Sequence, residues 1–164
     1  MTLTPIAVEN ETLRRFTIWR MAGYSPYRNP VLDKVRAFGV ALVLKVALRL
    51  GFVVVLLGRC RSGKTYLLQQ FLTGKIIDRS SELRMSGKRP LFGISDVPAN
   101  GHFAIDEIAT FEPRSMFDGV LALAQCGRRF ALAAQCVQTL DEANIGRALM
   151  GRRVLVISLE YPKR

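Results

Sequence analysis

The chain has 164 residues, 49% of them apolar and 23% charged, which excludes a disordered or fibrous chain and bounds the molecule at one domain with a full core. It carries 24 Lys and Arg against 13 Asp and Glu, a formal charge of +11. Three cysteines without a C-x-x-C pair and a single histidine argue against a disulfide framework or a zinc site, and fit a reducing cytoplasm.

The basic excess is uneven. Residues 1–100 hold 16 basic and 6 acidic side chains, whereas residues 101–164 hold 8 and 7. Such asymmetry fits nucleic acid, an anionic membrane face or an acidic partner, and a plain solvated basic surface explains it almost as well.

The N-terminus is polar and shows no secretory leader. Residues 1–31 read as an arm: Leu13, Phe16 and Trp19 recur at three-residue spacing, as on a helix docking its aromatics on a core. Arg14, Arg15, Arg20 and Arg28 interleave with Phe16, Trp19, Tyr24 and Tyr27, a mixture that also suits a nucleic-acid backbone or a membrane-surface helix. From residue 32 to about 50, Leu, Ala, Lys and Arg predict a helix that stops at Gly51. Residues 1–50 are therefore expected as a helical, basic-aromatic arm packed on a unit spanning 51–164.

The apolar run from Phe38 to Gly58 has the length of a membrane span. Lys45 and Arg49 interrupt it, at about 2.5–3.5 kcal/mol each in mid-membrane, and Gly51 divides it. Two buried elements account for it better.

Beyond Gly51, strands and helices alternate. Phe52–Leu57 predicts a buried strand and Lys64–Thr73 a helix ending at Gly74. Residues 75–101 read as loop-rich around a short strand near "LFGIS", and "HFAID" as the next strand. Pro113 opens a helix that stops at Gly127, "FALAAQ" is a strand, Asp141 caps a short helix ending at Gly151, and "RVLVIS" is the last strand. Continuous apolar strands alternating with helices define an α/β class with a mostly parallel sheet.

Three stretches carry chemistry. "GRCRSGKT" satisfies G-x-x-x-x-G-K-[S/T] through Gly58, Gly63, Lys64 and Thr65, between a strand and a helix as a phosphate cradle requires. Its N–H groups and the helix N-terminus would face phosphate oxygens, Lys64 would reach the β- and γ-phosphates, and Thr65 would ligate Mg²⁺. Arg59, Cys60, Arg61, Ser62 and Tyr66 complete the expected lining. In "GHFAIDEIA", Asp106 ends a strand at the carboxyl edge of the sheet, positioned to hold Mg²⁺ through water. Glu107 beside it is the candidate base for an attacking water, although an acidic pair opening a helix would look alike. In "GRRFALAAQ", a strand ending in Gln135 brings an amide toward the same water.

Together "GRCRSGKT", "FAIDEI" and "GRRFALAAQCVQTLDEANIGRAL" resemble the P-loop ATPases with an additional strand and a catalytic glutamate. Within that class the likeness is to the HerA/FtsK group, including zonula-occludens-toxin-like and conjugation-type ATPases, over residues 52–158. The resemblance implies a five-stranded sheet in the order 5-1-4-3-2, with strands near 155, 54, 132, 104 and 92. It also implies ATP hydrolysis in a homo-oligomer or larger complex, often on DNA, with an arginine reaching a neighbour's γ-phosphate. Arg128, Arg129, Arg147 and Arg152 are the candidates for that role.

The expected activity is Mg²⁺-dependent ATP hydrolysis by a cytoplasmic protein in DNA handling or transfer for a plasmid or phage. No Asn/Thr-Lys-x-Asp motif for guanine is present, which favours ATP. A nucleotide-switched adaptor on a membrane or protein complex is the first alternative. A small-molecule or nucleotide kinase, with Arg79, Arg84 and Arg89 on a lid, is the second; Glu107 and Gln135 favour water as acceptor over a substrate hydroxyl.

Overall fold

A computed structural model of the chain describes residues 17–22, 30–71 and 75–160. The elements in chain order are β1 (Thr17–Ala22), α1 (Pro30–Arg49), β2 (Val53–Leu57), α2 (Lys64–Phe71), β3 (Ile76–Ile77), α3 (Ser80–Ser86), β4 (Phe103–Ile105), α4 (Pro113–Gln125), β5 (Phe130–Ala134), α5 (Val137–Glu142), α6 (Ile145–Ala148) and β6 (Val154–Glu160). Every residue of β2, β4 and β5 is buried, as uninterrupted apolar strands covered on both faces must be.

The sheet is wholly parallel, in the order β1-β6-β2-β5-β4-β3. From β6 to β3 this is the expected five-stranded order, and β1 adds a sixth strand beside β6. Side chains alternate between two layers. Val54, Leu56, Ala131, Ala133, Leu155 and Ile157 pack on α1 and α2, while Val53, Val55, Phe103, Phe130 and Leu132 pack on α4, α5 and α6. The fold is α/β.

Helix α4 begins where Glu112 accepts from the N–H groups of Arg114 (3.1 Å) and Ser115 (2.6 Å), with Pro113 at the first helical position. It ends at Gly127 with φ +67°, whose N–H donates to Ala124 O at 3.1 Å. Both ends follow from residues visible in the sequence.

Three expectations are corrected. The helix expected from residue 32 to about 50 is present as α1, but the earlier part of the arm is not helical where it is described: Thr17–Ala22 form β1, pairing with β6 from Thr17↔Leu155 to Ala22↔Glu160. Thr17, Ile18 and Trp19 are strand formers, and the long β6 gives them a partner that a local helical period cannot reveal. Leu13, Phe16, Arg14, Arg15, Tyr24, Tyr27 and Arg28 lie outside the described residues. The strand expected near "LFGIS" is absent from that stretch, where Ile94–Asp96 make a 3-10 turn and Phe92 is buried against Gly119 of α4. Its place in the sheet is taken by Ile76–Ile77, two residues that are too few to show a period. Finally, Asp141 lies within α5 and does not cap a helix, because Asn144 turns left-handed (φ +49°) and separates α5 from α6.

No helix among the described residues is long and apolar enough to cross a membrane.

Candidate functional site

Parallel strands deliver their following residues to one edge of the sheet. There β2 runs into the loop 58–63, β3 into Asp78, β4 into Asp106 and Glu107, and β5 into Gln135. Because β5 lies between β2 and β4, Gln135 emerges between the loop and the acidic pair.

The loop is shaped by close packing. A Cβ on Gly58 would stand 2.5 Å from Ser62 Oγ and 3.1 Å from the main-chain oxygen of Leu159, so no side chain fits there. Gly63 and Arg61 both have positive φ (+89° and +64°), the turn that lets successive N–H groups converge. Ser62 is fully buried and its Oγ has no hydrogen-bond partner within the protein. Lys64 is also buried, and its Nζ bridges the loop by donating to Gly58 O (2.5 Å) and Arg59 O (3.2 Å). Arg59, Cys60 and Arg61 are exposed on the outer side, and Tyr66 is half-buried against the α1 layer.

Two side-chain contacts join the motifs. Thr65 Oγ1 donates to Asp106 Oδ2 at 2.6 Å, across 41 residues of sequence. Gln135 Nε2 donates to Glu107 Oε2 at 2.9 Å. Asp106 is buried, and its second oxygen accepts from the Glu107 N–H at 2.9 Å. Burial pushes the Asp106 carboxyl above its ordinary pKa, assisted by the charges of Glu107 and Asp78 and opposed by the Thr65 and Glu107 hydrogen bonds.

Glu107 itself sits in the left-handed region (φ +49°, ψ +58°). A non-glycine residue pays about 1–3 kcal/mol for that conformation, and such outliers gather at functional sites. Thr110 stabilises the turn, its N–H and Oγ1 each donating to Glu107 O at 2.8 Å.

Asp78 was not singled out from the sequence, yet it stands at the same sheet edge and its charge acts on Asp106. The signal would have been an acid directly after a strand, as for Asp106, but a two-residue strand hides it. Among the described residues, no group of three or more His, Cys, Asp and Glu side chains is arranged to hold a metal ion. Thr65 and Asp106, joined by their hydrogen bond, are the side chains that could hold a cation whose other ligands came from phosphate and water.

The predicted arginines do not join this cluster. Arg128 and Arg129 precede β5 and Arg152 precedes β6, at the opposite ends of the strands. Arg128 donates to Ala99 O and Pro98 O, each at 2.6 Å, and lies over the Phe103 ring. Arg152 donates to Ala124 O and Arg128 O, each at 3.1 Å, tying off the end of α4. Arg129 reaches Arg49 O at 3.4 Å. Burial lowers the pKa of His102, assisted by the charges of Arg129 and Arg49. Arg147 is exposed on α6. Of the three residues expected on a lid, Arg79 is engaged by Glu82 (3.0 Å) and by Asp96, leaving Arg84 and Arg89 exposed.

No protein-family model matches the chain, and no match to it is found among curated proteins or solved structures.

Proposed function

We propose that the protein binds ATP with Mg²⁺ through the loop Gly58–Thr65 and hydrolyses its terminal phosphoanhydride, as a P-loop ATPase of the catalytic-glutamate class. The observation that carries the reading is the 2.6 Å bond from Thr65 Oγ1 to Asp106 Oδ2. It unites the hydroxyl and the carboxylate that a phosphate-bound magnesium ion requires, although the two are far apart in sequence.

The residues present fit such a ligand. The Gly58–Ser62 approach leaves the loop backbone bare, and the buried Ser62 Oγ has bonding capacity to offer. Lys64 would exchange its loop carbonyls for phosphate oxygens, while Thr65 and Asp106 would hold the cation. A bound magnesium ion supplies charge neutralisation at the phosphates. Glu107 is the group that orients and deprotonates a water, and Gln135 holds the carboxylate in place from 2.9 Å. No acceptor other than water is needed to explain this pair.

DNA handling for a mobile element, in a homo-oligomer or larger complex, is the extension of this reading favoured by the sequence resemblance and the +11 charge. The test is phosphate release from Mg-ATP, with and without duplex DNA, for the wild type and Glu107→Gln. Turnover that is lost in the variant while ATP binding persists supports hydrolysis, and stimulation by DNA supports the extension. Tight ATP binding with no turnover under either condition overturns the enzymatic reading.

A further inference from the structure

Helix α1 is apolar on two sides. Its inner side buries Ala37, Val40, Ala41, Leu44, Ala47 and Leu48 against the sheet. On its outer side, Val35, Phe38, Leu42, Val46 and the following Leu50 are 65%, 62%, 54%, 44% and 60% exposed. Steps of three and four residues align them as one stripe, about 22 Å long at 1.5 Å per residue. The other exposed side chains described between 34 and 50 are Lys34, Lys45 and Arg49. Among the side chains described, the outward face therefore presents large apolar groups and cations and no carboxylate.

The cationic character continues at the C-terminal end of the stripe. Exposed Arg129 bonds the main chain of Arg49, and exposed Arg153 stacks 4.3 Å over the Phe52 ring. The stretches 45–52, 126–130 and 147–153, which meet at that end, contain seven Lys and Arg and no Asp or Glu.

We propose that this face docks the protein on an anionic lipid surface, with Phe38, Leu42, Val46 and Leu50 entering the headgroup–acyl boundary and the cations at the phosphate level. Apolar burial plus attraction to anionic headgroups gives the two signals that reversible interfacial binding takes. Charge selects this occupant. A second copy on the same stripe would repeat the face on both sides of a two-fold axis and set cations against cations, whereas anionic headgroups neutralise them. A nucleic-acid backbone would meet the cations but leave the stripe in water. Lys45 and Arg49, with the buried inner side, keep the helix lying on the surface and not across it.

The inference rests on α1 and not on the nucleotide reading, so the two can fail separately. The test is co-sedimentation of the full chain with phosphatidylcholine vesicles, with and without phosphatidylserine. The paired variants are Phe38→Ser/Leu42→Ser and Lys45→Glu/Arg49→Glu, with ATP binding and far-UV circular dichroism measured on each. The expected result is binding at least ~10-fold tighter to the phosphatidylserine vesicles, weakened ~10-fold or more by either pair, with fold and ATP binding retained. Absence of vesicle binding overturns it, as does binding that the Phe38/Leu42 pair leaves unchanged. Self-association in place of lipid binding, abolished by that pair, would assign the stripe to a second copy. Lipid binding that appears only on removal of residues 1–16 would assign it to that segment of the chain.

Discussion

The side-chain amide of Gln135 donates to the carboxylate of Glu107 across 2.9 Å, joining the residues that follow two neighbouring strands, β5 and β4. Glu107 reaches this position only through a left-handed backbone, so the fold places strain where the carboxylate must point.

Glu107→Gln keeps a side-chain oxygen to accept from Gln135 and removes the base. Steady-state phosphate release is expected to fall by about 10²–10⁴-fold, with ATP affinity within a few-fold of the wild type. Gln135→Ala leaves the base but frees its orientation, and a smaller loss in kcat than that of Glu107→Gln is expected. Equal losses would mean that Gln135 does more than position its neighbour.

Glu107→Gly relieves the positive φ. Thermal or urea unfolding is expected to show a gain of about 1 kcal/mol alongside complete loss of turnover. A loss of stability would show that the Gln135 contact outweighs the backbone strain.

Asp106 gives a pH signature. Its folded pKa lies above the ordinary value of 3.8, chiefly through burial, so the folded state holds its proton longer than the unfolded chain. Stability without magnesium is therefore greatest below 3.8 as far as this group is concerned, and declines as pH rises through the folded pKa. Asp106→Asn removes that decline, so its melting temperature should exceed the wild type's at neutral pH and the gap should close in acid. Turnover runs the other way. It needs the ionised carboxylate, so the variant should be inactive. A gap that stays constant with pH would show that Asp106 does not titrate differently in the fold.

Gly58→Ala and Ser62→Ala separate the loop's shape from its chemistry. The alanine methyl at 58 meets a buried hydroxyl at 2.5 Å and a main-chain oxygen at 3.1 Å, neither free to swing away. A loss of about 1–3 kcal/mol and of ATP binding is expected. Ser62→Ala deletes a buried oxygen without a protein partner, so stability should hold or rise by about 1 kcal/mol while ATP affinity drops. Calorimetry on both variants checks the pair.

Gly119→Ala tests packing far from the site. Alanine in a helix interior ordinarily gains up to about 1 kcal/mol over glycine. Here its Cβ would lie 2.2 Å from Phe92 Cδ1, and Phe92 is buried and packed edge-on to Phe111. Overpacking should win, with a net loss of about 1–2 kcal/mol in urea unfolding and unchanged ATP affinity.

The parallel sheet was legible because β2, β4, β5 and β6 are continuous apolar runs that alternate with helical segments, whereas the strand order was an expectation from the resemblance alone. Gly58, Lys64, Thr65, Asp106, Glu107 and Gln135 were legible by kind and by place, since each follows or closes such a run. The contacts joining Thr65 to Asp106 and Gln135 to Glu107 depend on strand neighbours and leave no local trace. Three things stayed hidden for the same reason. Strand β1 is made by its pairing with β6, β3 is too short to carry a period, and Phe92 is held by the missing side chain of Gly119. A Gly-Arg stretch looks alike whatever its guanidinium groups touch, so the carbonyl contacts of Arg128 and Arg152 left no trace in the sequence.

The brevity of β3 has its own result. Its backbone pairs with β4 through the carbonyls of Lys75 and Ile77, which accept from Ala104 (3.0 Å) and Asp106 (2.9 Å). A strand of two residues leaves hardly any main-chain ladder on its outer side, so a foreign strand would find almost no template there. The margin of the sheet nearest the carboxylates is thereby protected against growth by edge pairing, and an assembly that shares this site between subunits has to be built from helices and loops.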